Sequence, residues 1–197
     1  MKFLPNNVYH VYNQGNNQQQ LFYADDDYKR FLELFSSYVL PYADVLAWCL
    51  IPNHYHFMLS VKGNCVPVKQ GNIMLDSVSN GFRNLSGAYA HVYNKAHQKS
   101  GSVFRPKTKS KNLPDDRSSM SYLNCFYYIH QNAWRHGIVS HVSLWKYSSY
   151  HFYAGTRKQS ICNMDLARQL CEFDAATFIK LTEQRVPDEL VTSLFEG

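Results

Sequence analysis

The apolar positions change period several times along the chain, and each change marks an element. Val8-Tyr9-His10-Val11-Tyr12-Asn13 alternates in character and then meets Gly15 and a polar stretch, which predicts a strand ending in a loop. From Asp25 to Tyr38, Phe31, Leu32, Leu34 and Phe35 form an apolar stripe. Asp25, Asp26 and Asp27 crowd the start, where a helix dipole favours negative charge, so this segment predicts a helix. Asp44 to Ile51 is an unbroken apolar run, as in a buried strand. Pro52-Asn53 is a turn signal, and His54 to Val61 alternates again. The two runs predict a hairpin at the centre of a sheet, since Val45 to Ile51 is too apolar for an edge.

Further on, Phe82, Leu85, Tyr89 and Val92 recur every three or four residues and predict a helix over Asn72 to Ala96, weakened at Gly81 and Gly87. Ser100-Gly101 breaks it. Residues 103–111 read as a short basic extended segment. Pro114-Asp115-Asp116 is expected to open another helix running to about His136, with Gly137 as its stop. Residues 151–163 read as a linker, and Asp165 to Leu194 as one or two amphipathic helices. The order strand, helix, strand, strand, helix, strand, helix predicts an α+β sandwich of ferredoxin-like character. It would have a central, mainly antiparallel sheet with helices packed on one face, and a C-terminal helical extension.

Composition adds a direction. Between Val45 and Lys111 the only acid is Asp76, against nine Lys or Arg, whereas Met164 to Gly197 holds seven acids and three bases. A basic middle in a chain of net charge +5 points to a phosphate backbone as its partner, with a generic solvated surface as the plainer alternative. Five cysteines without a CxxC pair fit a reducing compartment and argue against a disulfide scaffold or a zinc knuckle. There is no apolar run of about 18 residues and no signal-like start, so the expectation is a soluble, cytoplasmic protein with no membrane contact.

Three groups of residues could carry chemistry. In a strand, His54 and His56 point to one face, with Tyr55 turned to the other. Two adjacent imidazoles can hold a divalent ion, though two of nine histidines also fall at this spacing by chance. In the helix ending near His136, Tyr128 and Asn132 are four apart and share a face, which Arg135 also shares, with Gln131 as the alternative carboxamide. A carboxamide oxygen can complete a metal site, and a deprotonated phenol can attack phosphorus. The competing reading makes Tyr127 and Tyr128 core aromatics. Tyr127 is the rival nucleophile, turned about 100° away from Asn132. A phenol with a pKa near 10 needs help at neutral pH, and a cation on the histidines would neutralise the phosphate it attacks. Finally, Arg105, Lys107, Lys109 and Lys111 have one parity. On a strand they would line one face and track a phosphate backbone, or else serve as a charged edge that blocks aggregation; Phe104 or Tyr93 is expected to stack a base.

These residues lie in stretches that resemble one family. "PNHYHFML" resembles the His-hydrophobe-His motif of HUH endonucleases as it occurs in single-tyrosine transposases. "YYIHQNAWRHGIV", followed by "WKYSSY", resembles the tyrosine helix of the REP-associated tyrosine transposase branch. "NVYHVYNQGNN", "FYADDDYKRFLELF" and "GSVFRPKTKSKNL" look like that family's first strand, first helix and basic hairpin. The resemblance spans about residues 7–150 and implies a catalytic domain over 1–150 with an extension over 151–197. It implies a ferredoxin-like fold, hairpin-bearing single-stranded DNA as substrate, Mg²⁺ or Mn²⁺ as cofactor and a 5′-phosphotyrosine intermediate. Carried over residue by residue, it puts the metal on His54 and His56, the nucleophile on Tyr128 and the helix carboxamide on Asn132. The chain departs from the family at Ala133-Trp134, where proline usually follows the asparagine, and at Tyr55, where an aliphatic residue is usual. The function implied is cleavage and rejoining of single-stranded DNA by a monomer or homodimer. The alternatives are a non-catalytic hairpin DNA- or RNA-binding protein of the same fold, and a metal hydrolase with no covalent step.

Overall fold

The strand β1 (Val8–Gln14) organises the molecule, because two partners pair with it antiparallel: β3 (His54–Val61) on one side and β6 (Lys109–Leu113) on the other. With β2 (Ala43–Ile51) paired to β3, the sheet order is β2-β3-β1-β6 and all of its pairings are antiparallel. The computed structural model describes residues 2–115 and 120–195. It is an α+β fold, and the strand assignments over 8–13, 44–51 and 54–61 agree with the pattern of apolar positions.

Strand alternation sends successive side chains to opposite faces, and both faces are covered. Tyr9, Val11, Tyr55, Phe57 and Leu59 point into a core shared with α1 (Asp25–Tyr38) and α2 (Ser77–His97). Val8, Met58, Cys49 and Ile51 point into a second core shared with α3 (Ser121–Arg135). Helices therefore lie on both faces of the sheet, not on one as expected. The helix of Asp25 to Tyr38 was legible in full: Asp27 accepts from the backbone N–H of Tyr23 and Ala24, satisfying the helix start.

The apolar strand β2 is an edge strand, contrary to the expectation from its composition. The rest of the chain covers it. Leu50 donates its N–H to the carbonyl of Tyr147, Ser149 donates to Trp48 and Asn163 donates to Val45. The edge groups are satisfied by residues 147–163, so apolar character does not report a central position here.

Residues 73–76, expected near the start of the helix, are instead β5 (Ile73–Asp76), paired with β4 (Pro67–Gln70) as a separate hairpin. Ile73-Met74-Leu75 fits either period. The helix begins where Asp76 caps it, accepting from Ser79 N at 2.7 Å. The basic segment is also shorter as a strand than expected: β6 spans Lys109–Leu113, while 103–108 is a loop tied to the end of β1 by the Arg105 N–H to Gln14 carbonyl bond. The expected helix start at Pro114 to Asp116 is only partly described. Pro114 and Asp115 lie in no helix, Asp116 lies outside the described residues, and α3 begins at Ser121.

The C-terminal region holds four short helices: α4 (Tyr150–Tyr153), α5 (Met164–Cys171), α6 (Ala175–Thr182) and α7 (Asp188–Ser193). Cys171, Phe173, Phe178 and Leu194 share the second core with α3. No cysteine is in a disulfide, and no described helix is long and apolar enough to cross a membrane.

Two outcomes follow from this packing. A Cβ on Gly81 would lie 2.3 Å from the Tyr38 carbonyl oxygen, where α2 presses on the end of α1, whereas one on Gly87 would meet nothing within 4 Å. Gly81→Ala is expected to destabilise by about 1–3 kcal/mol and Gly87→Ala to stabilise by about 0.5–1 kcal/mol in urea unfolding. His130, fully buried beside Ser149 (Nε2 to Oγ 2.7 Å), has its pKa lowered to about 3 by burial. The unfolded chain takes up that proton below about pH 6.5 and the folded chain does not, so stability is full above that pH and falls as pH drops towards 3. Tm should decline over that window, and less steeply in His130→Gln.

Candidate active site

The face of the sheet that meets α3 carries polar residues at one end. Alternation places His54 and His56 there from β3, and His10 and Tyr12 from β1, with Tyr12 opposite His56 in the register. The His54 and His56 rings are 5.1 Å apart, and Tyr55 is fully buried on the other face. The parity expected of this segment is the parity found.

Helix α3 lies over this end and brings Tyr128 and Asn132 to it. Asn132 Nδ2 donates to the Tyr128 hydroxyl at 3.2 Å, and Asn132 Oδ1 lies 3.1 Å from His54 Nε2. The Tyr128 ring sits edge-on to His56, with centroids 5.5 Å apart. Gln131 is turned elsewhere. It donates to the carbonyls of Thr182 and Gln184 and accepts from Val186 N, which ties the helix to the C-terminal segment. Tyr127 also points away, against Phe178, with its buried hydroxyl lacking a hydrogen-bond partner among the described residues.

The site opens to solvent through a cavity of about 390 Å³. Arg105, Lys107 and Lys109 line it from the basic loop and β6, facing His54, His56 and Tyr128. Lys111 does not line it and borders a separate cleft with Asn124 and Leu190. Arg135 is engaged by the tail: it donates to the Val186 carbonyl at 2.7 Å, pairs with Asp188 and lies over the Tyr128 ring, 5.6 Å from its centroid. Phe104 and Tyr93, expected as stacking platforms, are core residues 5% and 3% exposed, so neither face is open to a base.

Three residues at the site had no role assigned from the sequence. His136, the residue after α3, puts its ring 4.8 Å from His54. His10 Nε2 lies 2.8 Å from His56 Nδ1, and His10 Nδ1 lies 3.2 Å from the Leu194 carbonyl oxygen. Phe195 packs edge-on against Tyr128 and Tyr12 at the cavity wall. For Phe195 no sequence signal existed, since its place depends on the path of the whole extension.

Burial dominates the electrostatics. It lowers His10 and His54 to about 4 and His56 well below its usual value, so the imidazoles are neutral at pH 7. Burial likewise raises the Tyr128 phenol, while the Arg135 guanidinium and the Asn132 hydrogen bond pull it the other way.

The donors converge in a way that fits a cation. His54 Nδ1 lies 2.8 Å from Asn53 Oδ1 and its Nε2 lies 3.1 Å from Asn132 Oδ1. A neutral imidazole has one N–H, so one of these contacts sets a nitrogen lone pair against an oxygen lone pair. With the proton on Nδ1, the unsatisfied pair is His54 Nε2 and Asn132 Oδ1, beside His56. A divalent ion with ligands at about 2.1 Å at right angles holds two of them about 3 Å apart. No three His, Cys, Asp or Glu side chains form a metal-binding group among the described residues, and the oxygen that faces His54 Nε2 is that of the Asn132 amide.

No family model matches the chain, and no curated protein matches it. Among solved structures it is similar to a REP-associated tyrosine transposase bound to a REP hairpin. The TM-score is 0.60 at 18% identity, and the alignment covers 82% of this chain and 87% of that one. A bacterial tRNA(His) guanylyltransferase (Thg1)-like protein in complex with GTP aligns more distantly, at TM-score 0.37 and 8% identity over 70% of each chain. The first likeness is one of fold: the antiparallel four-stranded sheet and its helices are arranged in this chain as in a REP-associated tyrosine transposase.

Proposed function

We propose that the protein cuts and rejoins hairpin-bearing single-stranded DNA, with Tyr128 as nucleophile and a divalent cation, Mg²⁺ or Mn²⁺, on His54, His56 and Asn132. The observation that carries this reading is the Asn132 side chain, whose oxygen faces His54 Nε2 at 3.1 Å while its nitrogen holds the Tyr128 hydroxyl at 3.2 Å. One carboxamide thus links the candidate nucleophile to the candidate cation site. The hairpin as substrate class is supported by the fold neighbour, which is bound to one.

Each residue has a part. The neutral imidazoles offer lone pairs, as ligation requires. Two nitrogen donors suit Mn²⁺ better than Mg²⁺, which prefers oxygen. Bound there, the cation would neutralise and polarise the scissile phosphodiester. Arg105, Lys107 and Lys109 lead the strand's phosphates to the cavity. The Tyr128 oxygen attacks phosphorus as its proton leaves to solvent. The bond from phosphorus to the 3′-oxygen breaks, and that oxygen leaves as a hydroxyl after taking up a proton. The resulting 5′-phosphotyrosine keeps the energy of the broken bond for rejoining, which hydrolysis would discard.

Incubated with Mn²⁺ and a hairpin-bearing single strand, the protein is expected to form a denaturation-resistant adduct. Tyr128→Phe should abolish it and Tyr127→Phe should retain it; an undiminished adduct in Tyr128→Phe would remove Tyr128 from the role. Tight hairpin binding with no cleavage under any divalent ion would instead favour a binding protein. Phe195 fills part of the space in front of Tyr128, so Phe195→Ala is expected to speed adduct formation severalfold in single-turnover assays.

A further inference from the structure

We propose that His10 is a positioning residue for His56: it holds the His56 imidazole in the Nδ1–H form, so that the Nε2 lone pair is the one free to bind a cation. The proposal rests on the reading of His54, His56 and Asn132 as a cation site.

The direction of each hydrogen bond is set by one group that cannot donate. The Leu194 carbonyl oxygen, 3.2 Å from His10 Nδ1, only accepts, so Nδ1 carries the proton. A neutral imidazole has one N–H, which leaves His10 Nε2 with a lone pair. That nitrogen lies 2.8 Å from His56 Nδ1, so His56 must donate there. Its single proton is then committed, and Nε2 is bare. The rings of His10 and His56 are nearly parallel, 5.0 Å apart and inclined by 19°, and both residues are buried, so water does not compete for these nitrogens.

The fold builds this relay from three distant places: β1 supplies His10, β3 supplies His56, and the residue following α7 supplies the carbonyl. A hydrogen bond to the second nitrogen of a ligating histidine fixes its tautomer and ring angle and raises its basicity. Removing such a partner typically costs about 10–100-fold in metal affinity.

The test uses the full chain. Side-chain ¹⁵N NMR of the metal-free wild type is expected to show His56 as the Nδ1–H tautomer. An Nε2–H tautomer would overturn the proposal without any variant. Mn²⁺ affinity, read from the EPR signal of the free ion, should fall about 10–100-fold in His10→Phe at unchanged circular dichroism. His10→Gln, whose amide oxygen accepts from His56, should recover much of the loss. Equal affinity in wild type and folded His10→Phe, with His56→Ala weaker, would overturn the role of His10 alone. A wild type that binds no Mn²⁺ would overturn the cation site itself, and with it the positioning role.

Discussion

The antiparallel register of β1 against β3 is the constraint on which the site depends. Tyr12 sits opposite His56 and Gln14 opposite His54, and the period of two then assigns every neighbour to a face. A slip of one residue would carry the histidines into the aromatic core and put Tyr55 and Phe57 on the site face. Those two aromatics are fully buried, and full burial of a large apolar side chain is worth about 1.5–3 kcal/mol, so slippage is opposed several times over. The hydrophobic core on one face therefore fixes the chemistry on the other.

The polar face is tolerable in a buried setting because its imidazoles are neutral and most of its groups are paired. His10 and His56 share a hydrogen bond, and Asn132 holds the Tyr128 hydroxyl. The C-terminal segment closes this arrangement. Leu194 orients His10, Gln131 and Arg135 bind carbonyls between Thr182 and Val186, and Phe195 packs on Tyr128. The extension is part of the wall of the site and shares the core beneath α3. Within it, Asp188 pairs with Arg135, whose guanidinium lies over the Tyr128 ring.

What the sequence made legible were relations within single elements. His54 and His56 are two apart on a strand, and Tyr128 and Asn132 four apart on a helix, so local periodicity fixes their faces. The first helix was readable for the same reason, with its acids and its stripe in one segment. Relations between elements were not readable. His10 meets His56 across 46 positions and Leu194 across 184, and only the register and the path of the tail bring them together. β2 looked central because its own composition hides the fact that residues 147–163 cover its edge. Strand β5 was lost inside a predicted helix because three apolar residues in a row fit both periods. Phe104 and Tyr93 looked available for stacking because aromatics serve cores and bases alike, and only packing tells which.

The central claim, that Tyr128 is the residue joined to DNA, is tested most directly by locating the attachment. The protein would be incubated with Mn²⁺ and a hairpin-bearing strand, digested with nuclease and protease, and its peptides sequenced by mass spectrometry. The account predicts a nucleotide 5′-phosphate linked to Tyr128. Attachment at Tyr127 or Tyr12, or efficient cleavage with no tyrosine modified at any time point, would contradict it.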